Sequence, residues 1–211
     1  MSFCDPDPDC AKCERLFQFR LLNRQKFPTY HNAPVQSFGN LDANLLVVGM
    51  APGLHGANQT GRPFTNDGAG DVLYPALKKF GFAKGNYAQK KDDGFELINT
   101  RITNTVRCVP PQNKITRTEI KNCRLFLKTE IKAMPNLKVI LAIGKDAHDG
   151  ILETLGYKKS DFKFEHGRLY CLEKENLYLI SSYHTSRYNI NTGRLTQTMF
   201  DNVIKQVKEF L

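Results

Sequence analysis

Leu45-Leu46-Val47-Val48-Gly49-Met50 is the stretch from which the rest of this chain is read. An unbroken apolar run of this kind fits a parallel strand covered on both faces. It opens into a long loop, Ala51-Pro52-Gly53-Leu54-His55-Gly56-Ala57-Asn58-Gln59-Thr60-Gly61-Arg62-Pro63-Phe64-Thr65-Asn66-Asp67. Glycine lets main chain approach a ligand closely, and proline fixes its path. Loops that follow the strands of an α/β sheet are where ligands usually bind. This one lacks the Gly-Lys-Ser/Thr ending of a phosphate-cradling P-loop, and its glycine spacing does not fit a dinucleotide fingerprint.

On the C-terminal side, Asp71 to Phe80 places Val72, Leu73, Leu77 and Phe80 at core spacing for an amphipathic helix, ended at Gly81. Residues 84–94 read as a polar, exposed insert. Leu97 to Val106 alternates as a second strand and runs into a Pro-rich loop, Arg107 to Thr116. Thr116 with Glu119 forms a capping box for a helix to about Met134. Leu137–Ile143 and Leu177–Tyr183 are further buried strands. Helices are expected at Gly144–Leu155 and Thr196–Leu211, and a short extra strand at Arg168–Leu172. On the N-terminal side, Cys10-Ala-Lys-Cys13 opens a helical pattern, and 25–40 reads as loop.

Alternating strands and helices with no linker or repeat predict one α/β domain over 1–211: a central four-stranded parallel sheet with helices on both faces. In such a sheet the loops after the first, second and fourth strands leave from one edge and can share a site.

With 211 residues the chain can bury a proper core. It lacks the roughly 18 consecutive apolar residues of a membrane span. The start, Met1-Ser-Phe-Cys-Asp-Pro, lacks a basic and then apolar leader, so a cytoplasmic, or in a prokaryote nucleoid-associated, protein is expected. Lys and Arg number 30 against 21 Asp and Glu, a net +9 spread along the chain. That surplus suits a basic face for a polyanion, or simply a solvated lysine-rich surface.

Six cysteines in a reducing compartment ask for something other than disulfides. Cys10 and Cys13 form a CxxC at a helix start. Cys108 ends a strand, and Cys123 lies one or two turns into the next helix. Four thiolates suit zinc or a [4Fe–4S] cluster, and spacing does not choose between them. Buried, unrelated thiols are the plainer reading. Cys171 reads as a core thiol, and Cys4 as at most a substitute ligand.

Three segments together resemble the iron–sulfur uracil-DNA glycosylases, the family 5 or UDGb-type branch of the uracil-DNA glycosylase superfamily. They are Gly49 to Asp67, then Thr105-Val-Arg-Cys-Val-Pro-Pro-Gln-Asn-Lys114, then Tyr183-His-Thr-Ser-Arg187 with Thr192-Gly-Arg-Leu-Thr196. The four-cysteine layout matches as well, so the resemblance runs from Cys10 to the last helix. Two positions depart from the family pattern. His184-Thr-Ser-Arg stands for His-Pro-Ser-Arg, which loosens a turn, and Thr65-Asn-Asp67 stands for Thr-Gly-Asp.

The resemblance implies removal of uracil from DNA by cleavage of the N-glycosidic bond, with hypoxanthine and other deaminated bases as further substrates. It implies a structural [4Fe–4S] cluster on Cys10, Cys13, Cys108 and Cys123. The implied partner is DNA carrying such bases, not a membrane, met by a monomer; a sliding-clamp contact is not readable from the residues. The rival readings are a non-catalytic iron–sulfur protein that binds nucleic acid or senses damage, and a zinc-stabilised nucleotide hydrolase.

The chemistry assigns roles to the loop residues. A base in a duplex is reached only by flipping its nucleotide into a pocket. Its release leaves an oxocarbenium-like sugar, as in glycoside hydrolysis. Asp67 is the expected carboxylate, although Asp after a loop is also a common helix cap. Phe64 is the expected stacking ring, although core packing is the commoner fate of Phe. Asn113 brings a carboxamide that pairs with a base edge, or merely a turn. His184 at a strand end would stabilise negative charge on the leaving base, or serve structure alone. Gly53 and His55 are expected in the pocket wall. Arg187, Arg194 and Lys114 are expected phosphate contacts, with Tyr188 to Asn191 as a wedge.

Overall fold

The computed structural model describes residues 3–211. Its first strand, β1 (Leu45–Gly49), has all five residues buried. The same holds for β4 (Thr100–Asn104) and β5 (Val139–Ile143). With β7 (Leu177–Ser182) they pair in parallel, in the order β4-β1-β5-β7. A fifth strand, β6 (Leu169–Leu172), pairs antiparallel at the edge of β7. The sheet is therefore five-stranded, the addition being the segment read above as a short extra strand. Its orientation follows from the tight turn into β7, since a parallel neighbour would need a crossover.

Alternation along each strand feeds two cores. Leu45 and Val47 pack with Leu73 and Leu77 of α3 (Gly70–Lys79) and with Phe200 and Ile204 of α7 (Gln197–Glu209). Leu46 and Val48 pack with Leu127 of α4 (Arg117–Ala133) and Ile151 of α5 (Lys145–Leu155). Helices thus cover both faces, which is why the strands read as continuous apolar runs. A third, smaller core joins Leu16 of α1 (Glu14–Lys26) to Val106 and Cys123.

The stretch read as one strand from Leu97 to Val106 is broken. Glu96–Leu97 (β3) turns away to pair with Ala83–Lys84 (β2) in a small hairpin, and Asn99 takes a left-handed backbone before β4. The capping box is present: the Thr116 side chain accepts from the Glu119 amide, and the Glu119 carboxylate accepts from the Thr116 amide at 2.7 Å. Among the described residues, no helix is long and apolar enough to cross a membrane.

Candidate active site

β4, β1 and β7 all end at the same edge of the sheet, β7 set one strand (β5) away from β1, and their loops enclose one cavity of about 590 Å³. Thr105 ties the first two exits together: its amide donates to the Gly49 carbonyl and its hydroxyl to the Met50 carbonyl. Asp67, Asn113, His184, Phe64, Gly53, His55 and Arg187 all line the cavity. Lys114 and Arg194 do not. Lys114 borders a neighbouring depression, and the Arg194 guanidinium lies over the Tyr183 ring, 4.8 Å from its centroid.

Asp67 serves two purposes with two oxygens. Oδ1 accepts from the amides of Ala69 and Gly70 at 3.1 and 2.9 Å, capping the start of α3. Oδ2 has no hydrogen bond to protein among the described residues and faces Gly56, where even a Cβ would stand 2.9 Å from it. Burial pushes the Asp67 carboxyl above its ordinary value, against the pull of the Gly70 amide and of His184. Asn66 before it adopts φ of 62°, a backbone glycine would take freely and Asn tolerates. Its side-chain Nδ2 then donates to the His55 carbonyl and to Gln59 Oε1, both at 2.9 Å.

Phe64 is 6% exposed, with one side in the core and the other in the cavity. Its ring centroid lies 6.5 Å from that of His184, with the planes inclined by 30°. Burial lowers the His184 imidazole below its ordinary value, and the Asp67 carboxylate opposes this only in part. Burial thus favours the neutral imidazole. The buried Asn189 holds this strand end by donating from Nδ2 to the His184 carbonyl at 2.7 Å. Thr185, expected to loosen its turn, does the opposite. Its buried hydroxyl donates to the Ala69 carbonyl at 3.1 Å, linking the β7 loop to the start of α3.

Asn113 sits on the exposed lip with φ of 56°. Arg187 and Tyr188, both in α6 (Arg187–Asn191), are 76% and 72% exposed in side chain and residue respectively, and they form the mouth. Asn104, the last residue of β4, escaped the sequence reading. It is 3% exposed and lines the cavity floor, close against Gly49 and Phe64.

Cys10, Cys13, Cys108 and Cys123 line a second, small void of about 20 Å³ beneath α1. The spacing thus brings all four together, although among the described residues no three metal-binding groups close on a single point. Arg20 Nη1 faces Cys108 Sγ at 3.5 Å, and the Arg107 amide faces Cys123 Sγ at 3.4 Å. Burial, then mutual negative charge, pushes the Cys108 thiol up to about 12; burial pushes Cys123 up to about 11. Cys171, expected in the core, is exposed, because β6 is an edge strand with one face in solvent. Cys4 is exposed and does not line the void.

Comparison with known proteins agrees with this arrangement. The sequence profile of the Uracil DNA glycosylase superfamily matches residues 36–208. The type-5 uracil-DNA glycosylase of Thermus thermophilus is 38% identical over 204 residues, covering 94% of this chain and 92% of its own. That of Pyrobaculum aerophilum is 37% identical, over 94% of this chain and 87% of its own. A type-4 uracil-DNA glycosylase, also from Pyrobaculum aerophilum, is 29% identical over 67% of this chain. The chain belongs to the uracil-DNA glycosylase superfamily, on its type-5 branch.

Proposed function

We propose that this chain removes uracil from DNA by hydrolysing the bond between the base and C1′ of its deoxyribose. The observation that carries the reading is the meeting, on one cavity of about 590 Å³, of a half-free carboxylate, an imidazole and an aromatic face. A cavity of that size suits a small ligand.

In this reading the nucleotide flips in, and its base stacks on Phe64. The carboxamides of Asn104 and Asn113 each offer a donor and an acceptor to the base edge. As the glycosidic bond breaks, its electron pair leaves with the base. Neutral His184 donates a hydrogen bond to the oxygen where that charge gathers, without first transferring a proton. Asp67 Oδ2 stabilises the oxocarbenium-like sugar and orients water toward C1′. Water oxygen bonds to C1′ and gives up a proton, and the departing base anion takes one up, leaving an abasic site and free uracil. Arg187 at the mouth contacts phosphate, with Tyr188 filling the gap left in the duplex. A bicyclic base also fits the volume, so hypoxanthine is a second substrate.

Cys10, Cys13, Cys108 and Cys123 would hold a [4Fe–4S] cluster. The all-sulfur donor set and the two N–H groups facing sulfur support this, since they offset thiolate charge. When bound it supplies a structural tie between α1 and the segment from Cys108 to Cys123.

The test is release of base from oligonucleotides carrying uracil, hypoxanthine, xanthine or mispaired thymine, with alkali to reveal abasic sites. Strand scission at uracil and hypoxanthine is expected. Tight binding of damaged DNA with no scission at any base would favour a damage-sensing protein instead.

A further inference from the structure

The polar excursion between β2 and β3 turns two side chains inward. It is pinched at its neck: Gly85 leaves no room for a Cβ against the Gly94 carbonyl, and Lys84 pairs with Glu96 at 2.8 Å. From this loop Asp93 makes a two-pronged pair with Arg62, Nη1 to Oδ1 and Nη2 to Oδ2, both at 2.8 Å. The two side chains are 2% and 1% exposed. The guanidinium lies 5.3 to 5.7 Å from the ring centroids of Phe38, Tyr74 and Tyr87. Its Nε donates to Thr65 Oγ1 at 2.8 Å.

The assembly bears on Pro63, Phe64 and Thr65 of the first loop. The Tyr74 hydroxyl donates to the Pro63 carbonyl at 2.5 Å, and the Tyr87 hydroxyl to the Phe64 carbonyl at 3.3 Å. Phe64 itself sits at φ of 51°, a left-handed backbone that costs a non-glycine residue free energy and persists only where its surroundings impose it. Gly70 leaves space for the Phe64 carbonyl, since a Cβ there would collide with it. None of Arg62, Tyr74, Tyr87 and Asp93 lines the cavity.

We propose that the excursion from Gly85 to Gly94 is a remote clamp on the base-stacking ring, with Tyr87 and Asp93 as positioning residues that hold Phe64 through its carbonyl and through Arg62. This rests on the reading of Phe64 as the stacking platform. The clamp fixes the pitch of the ring against His184 and so the depth at which a flipped base can seat. A buried two-pronged pair is geometrically specific, as such a role needs. Small displacements of groups near the reacting centre are costly in rate.

Tyr87→Phe is the decisive variant, because it removes only the hydroxyl and keeps the ring beside Arg62. Asp93→Asn removes the charge, and Lys90→Ala, an exposed change in the same loop, is the control. Each is measured for single-turnover uracil excision, for thermal melting, and for binding to two uncleavable duplexes. One carries 2′-fluoro-deoxyuridine, whose base must stack; the other carries a baseless tetrahydrofuran site. For Tyr87→Phe the excision rate is expected to fall about tenfold. Its affinity for the fluorouridine duplex is expected to weaken while the baseless duplex binds as in the parent, and Lys90→Ala should match the parent throughout. Excision by Tyr87→Phe within about twofold of the parent, or equal weakening on both duplexes, overturns the clamp. Phe64→Ala separates the two readings. If it excises normally, the platform reading fails; if it fails to excise while Tyr87→Phe does not, the clamp alone is wrong.

Discussion

Asp67 divides its labour between its two oxygens. Oδ1 is spent on the amides of Ala69 and Gly70, and only Oδ2 is left for a substrate. Asp67→Asn keeps an oxygen for the amides and removes the charge. Excision should fall by about 10²-fold or more, a typical loss for one positioned charged or proton-transferring group. Stability should move the other way. The carboxyl titrates above its ordinary value in the fold, so charging it costs folded-state free energy once the pH exceeds the unfolded value. At neutral pH the Asn variant should therefore melt no lower than the parent, and scanning calorimetry checks this. For the parent, the acid limb of kcat/KM should lie above the ordinary aspartate value, with activity falling as pH drops through it. A limb at or below that value would show that Asp67 is not the group whose ionisation is needed. The residues that the sequence placed in the loops and that meet at the cavity, Gly53, His55, Phe64, Asp67, Asn113, His184 and Arg187, stood out because their chemistry sits in unusual loops. Asn104 was hidden because Ile-Thr-Asn-Thr-Val reads as strand, and only the place where β4 stops turns that amide into the cavity. Lys114 and Arg194, expected against phosphate rather than base, lie outside the cavity, Lys114 beside a neighbouring depression and Arg194 over the Tyr183 ring.

Elements were legible wherever a local rule sufficed. The capping box of α4 needs only Thr116 and Glu119, and both hydrogen bonds form. Glu119 also pairs with Arg15 of α1 at 2.7 Å, so one side chain caps a helix and fastens it to another. Thr116→Ala should cost about 1 kcal/mol in urea unfolding. Glu119→Ala should cost more, because it loses the reciprocal bond and leaves Arg15 without this partner; equal losses would mean that the α1 contact contributes nothing. The segment from Lys84 to Gly94 shows where local rules stop. A run of Lys, Asp and Gly looks solvated, and most of it is exposed. What turns Asp93 inward is Arg62, a partner in another loop, and no pattern within the run carries that information. The same holds for β6, which was visible as a strand but whose orientation depends on the turn into β7.

At the scale of the whole molecule, a buried charge network joins the cysteine lobe to the sheet. Glu130 is fully buried and pairs with Arg101 of β4 and with Arg107 at 2.6 Å each. Arg107 also meets Asp5 at 3.0 Å and precedes Cys108. If the four thiols hold a cluster, Cys108→Ser should abolish the brown absorbance at ~400 nm and lower Tm by more than about 5 °C, because metal binding free energy is folding free energy. Retained iron with an unchanged Tm would remove the cluster from that site. The cavity opens where the parallel strands end, whereas Leu211 lies at the other side of the sheet, its carbonyl accepting from Lys138 Nζ at 2.5 Å just before β5 begins. Anything attached after Leu211 thus departs from the back of the molecule. Tethered to a surface by that residue, the protein would present its mouth outward, oriented for capture of damaged strands from solution.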